Sequence, residues 1–215
     1  MLVKRRCPMS NGYRFRSWFV DNYGWARMSL PFAVLALCSL PIFLTANNLS
    51  LILLYTLLPV YMIHQYEEHA HGRFVDFFNS TIGKEYDVLT KVSAFWINIL
   101  EVWVLFIVSF YLAKYVAIGV ALVPVYAIIF NGFTHAVASI VLRRYNPGLY
   151  TALVLFLPWG IFLLIYFNAI TQSRLLFNAI GLLVGILLHA IILVYALRRR
   201  SKLESHYRGG VEANP

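Results

Sequence analysis

The chain has 215 residues, of which 60% are hydrophobic and 13% charged, with a mean hydropathy of +0.70. A soluble domain carries roughly 25% charged residues, so a water-soluble globule is excluded and the length is better divided by the roughly 20 apolar residues that cross a bilayer. The net charge of +9 does not describe a nucleic-acid binder, because the basic residues flank apolar runs rather than forming one face of a polar domain.

In chain order, a basic and aromatic lead (residues 1–28) comes first. Its Tyr13-Arg14-Phe15-Arg16-Ser17-Trp18-Phe19 stretch suits the headgroup region, rings down and cations out. Six apolar spans follow: Ser29–Thr45, Leu49–Tyr66, Val92–Ala113, Val116–Val141, Leu149–Ile170 and Leu175–Ala196. The first begins too late for a cleaved signal peptide and is read as retained. These spans predict an all-α, polytopic integral membrane protein, a six-helix bundle over 29–200, followed by a polar, disordered cytoplasmic tail over 201–215. In the longest connection, Phe74, Val75, Phe77 and Phe78 beside Arg73 and Asp76 predict a second interfacial helix. The connections Ala46-Asn47-Asn48, Tyr115 and Thr171-Gln172-Ser173 are minimal, so neighbouring spans are expected to pack as antiparallel hairpins. Cys7 in the lead and Cys38 in the first span do not suggest a disulfide. Sixteen Lys and Arg residues fall on one side of the spans, with Lys114 and Arg174 on the other. The positive-inside bias therefore predicts that both termini are cytoplasmic.

The informative residues are polar groups at membrane depth. Positions i, i+3 and i+4 of a helix share a face, so His64, Glu67 and Glu68 are expected to project together from the second span. Asn98 and Glu101 pair in the same way on the third, and Asn131 and His135 on the fourth; His189 stands alone on the sixth. At about 1.5 Å rise per residue, His64 and Asn131 lie roughly 22 Å from the outer end of their spans, His135 roughly 28 Å and His189 roughly 21 Å. Glu101 comes out roughly 16 Å below the outer surface of a core about 30 Å thick. All fall in the cytoplasmic half of the bilayer, and an ionisable residue there is a functional candidate by default. His69 and His71 lie beyond the span and read as solvated loop histidines.

Carboxylates in that slab repel one another and lose hydration, a conflict that a bound cation removes. His64, Glu67, Glu68, Glu101, His135 and His189 form a nitrogen and oxygen ligand set suited to a divalent transition metal (iron, zinc or manganese), as one ion or a pair. Asn98 and Asn131 would support the ligands. Glu68 and Glu101 are the candidates for moving protons. Tyr145-Asn146-Pro147-Gly148, after Arg143 and Arg144, reads as a turn. Arg73, Arg143, Arg144 and Tyr145 are candidates for closing over the mouth of the site and holding a headgroup.

His64-Gln65-Tyr66-Glu67-Glu68, the later His135 and Tyr145-Asn146-Pro147-Gly148 together resemble the HXXEE domain family, named for its H-x-x-E-E motif, with a further histidine and a Y-x-P-G motif downstream. The three elements occur here in order, over residues 64–148. The resemblance implies a membrane-associated protein and singles out His64, Glu67, Glu68 and His135; it supplies no reaction. The residues themselves suggest a metal-dependent membrane enzyme, oxidative or hydrolytic, that takes a lipid or other apolar substrate from the cytoplasmic leaflet. An ion- or proton-coupled transporter and a non-catalytic membrane partner are the competing readings.

Overall fold

In hydrocarbon every backbone N–H and C=O must find its partner within the segment, so an apolar run folds as a helix. The computed structural model describes residues 11–43, 49–84 and 86–212. Lys4, Arg5, Arg6, Cys7 and the Ala46-Asn47-Asn48 connection lie outside them. The chain is 87% helical, without strands among the described residues, and six of its helices are long and apolar enough to span a membrane. We label them α1 (Asn11–Arg16, continued by a π-helical turn Ser17–Asp21), α2 (Gly24–Phe43), α3 (Leu49–His69), α4 (Arg73–Thr81), α5 (Lys91–Tyr115), α6 (Ile118–Leu142), α7 (Leu149–Ile170) and α8 (Arg174–Glu212). The short α4 is the helix expected between the second and third spans.

Two boundaries differ from the sequence reading. The first span starts at Gly24, because Arg27 does not end it: its side chain turns back so that Nε donates to the Ala70 carbonyl at 3.1 Å. The last helix runs on through the tail to Glu212, where disorder was expected. No Gly or Pro falls between Ala196 and Gly209, and Arg200 pairs with Glu204 one turn on at 2.7 Å.

Packing departs from simple hairpins at two places, the first of them at α8. α2 packs along α3 and α6 along α7, but α8 lies along α6 rather than along the α7 that precedes it. Gly181 and Gly185, spaced G-x-x-x-G, bring the two backbones close: a Cβ at Gly181 would stand 2.9 Å from the Leu122 carbonyl oxygen, and one at Gly185 2.9 Å from the Phe130 ring. Small residues at that spacing are the ordinary means of close helix approach in lipid, where no hydrophobic force drives helices together.

α5 positions the site by standing off. Its Leu105–Tyr115 half contacts α6 near their shared turn, while its Lys91–Val104 half packs away from α6 toward α1. α4 lies across the gap. The Asn79 side chain ties α4 to the loop behind it, donating to the Leu89 carbonyl at 2.9 Å and accepting the Leu89 N–H at 2.8 Å. The space left between α5, α6, α8 and α4 is a cavity of about 580 Å³.

Candidate metal centre

The two glutamates of the motif are consecutive and therefore about 100° apart around the helix axis, so they meet different neighbours. Glu68 faces α6. Its Oε2 lies 3.5 Å from His64 Nε2 and 3.1 Å from His69 Nε2, and its Oε1 lies 3.5 Å from His135 Nε2. His64, Glu68 and His135 are all buried, and each offers one ligand atom within 4.8 Å of the others. Atoms sharing one tetrahedral ion at bond lengths near 2.0–2.1 Å stand about 3.3 Å apart, close to the two 3.5 Å separations. The group can hold a metal ion.

Glu67 faces α7 and is not part of that group. Its carboxylate accepts from the backbone N–H groups of Tyr150 (3.1 Å) and Thr151 (2.7 Å), from the Thr151 hydroxyl (2.6 Å) and from the Tyr145 hydroxyl (2.7 Å). This is a carboxylate at a helix N-terminus, where unpaired N–H groups and the helix dipole favour it. Burial and the Glu67 bond push the Tyr145 phenol up to about 12, so it remains a donor at neutral pH.

The bond from Thr151 to Glu67 settles the proton on His64. A carboxylate only accepts, so the Thr151 hydroxyl spends its proton there and must accept from His64 Nδ1, 2.8 Å away. Nδ1 then carries the ring proton, and Nε2 of the neutral imidazole is a bare lone pair. That atom is buried, has no hydrogen-bond partner and points at the Glu68 carboxylate. A second chain runs in from α5. The Trp103 indole, which can only donate, bonds Gln65 Oε1 at 3.0 Å, and Gln65 Nε2 bonds Asn98 Oδ1 at 2.8 Å. Asn98 Nδ2 therefore faces His69 Nε2 at 3.1 Å, while also donating to the Ala94 carbonyl. With its Nε2 lone pair taken by Asn98, His69 offers Glu68 no proton either. Two bare ring nitrogens, on His64 and His69, thus face one buried carboxylate, an arrangement that a cation satisfies.

The turn between α6 and α7 closes the site. Gly148 has φ +98°, and a Cβ there would lie 2.8 Å from Cε1 of both His64 and His135. Only glycine suits that backbone and that proximity. Asn146 beside it is 4% exposed, with its side-chain oxygen unpartnered.

The remaining candidates take separate places. Glu101, Asn131 and His189 line the cavity together with Glu68, His69, Asn98 and His135, but lie outside the three-residue group. Glu101 sits in a π-helical stretch, Asn98–Val104, and its carboxylate has no hydrogen bond or ion pair among the described residues. Asn131 donates to the Tyr61 hydroxyl at 3.4 Å, and His189 Nδ1 donates to the Gly185 carbonyl at 2.9 Å. Arg73, Arg143, Arg144 and Tyr145 do not line the cavity. Arg144 donates to Thr81 Oγ1 at 2.6 Å and lies 4.7 Å from the Phe77 ring centre, fastening α4 down. Sequence reasoning missed Gln65, Thr151 and Gly148, and took His69 for a loop residue, although it is 2% exposed. A glutamine inside an apolar span was a usable signal; a threonine there was not.

No curated protein and no solved structure matches the chain. A family described as "Protein of unknown function with HXXEE motif" matches residues 55–163, a range that contains His64, Glu67, Glu68, His135, Gly148 and Thr151. The groups that build this centre are therefore those of the matched region, and the chain belongs to the HXXEE-motif family.

Proposed function

We propose that the chain is a membrane-embedded, metal-dependent enzyme acting on an apolar, lipid-like substrate. The observation that carries this reading is the bare, buried Nε2 of His64, its tautomer fixed by the Thr151–Glu67 pair and its lone pair aimed at Glu68. Outer partners that fix a histidine's tautomer and orientation in this way accompany metal ligands generally. His64, Glu68 and His135 would hold the ion, which supplies a Lewis acid and a means of activating water or dioxygen. Three protein ligands leave a coordination position free, as catalytic sites require.

The surroundings support chemistry rather than conduction. The cavity's lining combines polar groups, Glu68, His135, Glu101 and Asn131 among them, with the apolar side chains of Phe74, Phe77, Phe78, Val137, Val141 and Leu193. Its size falls within the range of small-molecule sites, roughly 300–1,000 Å³. Glu101, without a hydrogen bond or ion pair among the described residues and lining the same cavity, would be the group that takes or gives a proton. An ion carrier would need polar groups leading onward to the opposite face. The second cavity, about 640 Å³ and sharing Phe106 with the first, is lined by Leu, Ile, Phe and Tyr side chains with Lys114. By the positive-inside rule the site lies in the cytoplasmic half of the bilayer.

Elemental analysis by plasma mass spectrometry tests the reading. The purified chain should carry about one iron, zinc or manganese per molecule, and His64→Ala combined with His135→Ala should lose it. A wild-type protein free of metal that also fails to take up any of the three overturns the proposal.

A further inference from the structure

The cavity's free polar groups restrict what can occupy it; the argument rests on the proposed reading of the cavity as a substrate site and deepens it. Neither lysine nor arginine is among its described lining residues, whereas two carboxylates, Glu68 and Glu101, are. A divalent ion on the three ligands would bring that lining only to neutrality, leaving nothing to compensate a further negative charge. Two arginines reach the cavity's lining residues without lining it themselves, and both are engaged: Arg144 with Thr81 and Phe77, and Arg200 with Glu204 and the Ile82 carbonyl.

The groups left over include acceptors that nothing in the protein satisfies. Glu101 is unpartnered, and the side-chain oxygens of Asn131 and Asn146 are buried without a hydrogen bond. His189, with its Nδ1 proton on Gly185, presents Nε2 as a lone pair. Thr81 and Thr134 spend their hydroxyl protons on the Phe77 and Asn131 carbonyls. The donors that stand beside them are all uncharged: the Tyr61 hydroxyl, the Asn146 amide N–H₂, the second Asn131 amide N–H, the unpartnered His69 Nδ1–H and, with Nε2 turned to an ion, the unpartnered His135 Nδ1–H. The wall is also open to the bilayer, since Phe133, Val137, Val141 and Leu193 line the cavity and are exposed.

We infer that the occupant is a bilayer-borne, single-chain amphiphile whose head bears no negative charge and donates hydrogen bonds, of the long-chain alcohol or amine class, and that fatty acids and phosphate-headed lipids are rejected. An anionic head would be desolvated beside Glu101, with no lysine or arginine among the described lining residues to pair it and a bound ion's charge already matched by Glu68 and Glu101, an unfavourable burial. A hydroxyl or amine head meets acceptors that otherwise stay unsatisfied.

The test is binding of radiolabelled 1-dodecanol to the full chain in phosphatidylcholine nanodiscs, corrected for empty discs, with unlabelled 1-dodecanol, dodecylamine and dodecanoate as competitors. At least one of the alcohol and the amine should compete about tenfold or more better than the carboxylate, which corresponds to roughly 1.4 kcal/mol. Whichever of the two is stronger identifies the head as neutral or cationic. Glu101→Gln should narrow the gap to dodecanoate, and Asn146→Leu should weaken dodecanol binding several-fold. Dodecanoate competing as well as both, an absence of saturable dodecanol binding, or an unchanged ratio in Glu101→Gln overturns the inference. Metal content measured on the same preparations, with and without chelator, separates this outcome from the fate of the metal reading.

Discussion

At the scale of single residues, the least conspicuous side chain governs the most. Thr151 is one hydroxyl in an apolar helix, yet it connects Glu67 to His64 and so decides which imidazole nitrogen is bare. Thr151→Val keeps the shape and removes the relay, freeing His64 to adopt the other tautomer. Loss of such outer partners costs about 10–100-fold in metal affinity. That is the expected outcome by chelator competition, with Thr151→Ser restoring most of it; an unchanged affinity would remove the relay from the mechanism. Glu67 shows why sequence spacing reached only part of this. Helical periodicity brings His64, Glu67 and Glu68 to one broad face, but their separation around the axis is settled by which neighbour each meets. Glu68 meets the histidine of α6, and Glu67 the N-terminus of α7. That distinction belongs to tertiary packing and has no local signal.

At the scale of elements, the spans were legible because a bilayer imposes their length and apolarity, and α4 because its aromatic and charged residues alternate at helical spacing. Helix neighbours were less so: α8 along α6 was written in Gly181 and Gly185, a pattern recognisable only once a partner helix is in view. The π-helical stretch of α5 was invisible in sequence. An i→i+5 turn holds one residue more than an α turn, and such insertions cluster at functional sites. It sets the phase of Asn98 and Glu101 relative to the rest of α5. Deleting Leu100, 57% exposed within that stretch, should restore regular helix at little packing cost and rotate the Lys91 end by about 100°. The bonds of Asn98 to Gln65 and His69 would then be lost, while Trp103 keeps its place. The expected result is a folded, helical protein by circular dichroism with weaker metal binding by chelator competition, because Asn98 no longer holds the His69 ring beside Glu68; unchanged binding would mean that the stretch does not set this phase.

At the scale of the whole molecule, the charge pattern predicts orientation. The α3–α4 and α6–α7 connections and the far end of α8 share one end of the bundle, and the α5–α6 and α7–α8 turns occupy the other. In a variant lacking Cys7 and Cys38, a cysteine at Gln172 should react with a membrane-impermeant maleimide in intact cells. Cysteines at Arg144 and Ser205 should react only after permeabilisation. The reverse pattern would place the metal group in the outer leaflet. Fold class and the His64, Glu68 and His135 group were readable because intramembrane polar residues are rare enough to stand out, whereas their supporting hydrogen bonds are made by ordinary residues.

Gly148 bears on the order in which this protein is made. The two histidines come from α3 and α6, and the glycine that lies against both belongs to the turn leading into α7, whose first residues in turn fix Glu67 and His64. A nascent chain inserted only as far as α6 would possess His64, Glu68 and His135 and still lack the parts that orient them. Under the proposed function, cation capture would therefore be a late event of biogenesis, delayed until the fifth span has entered the bilayer.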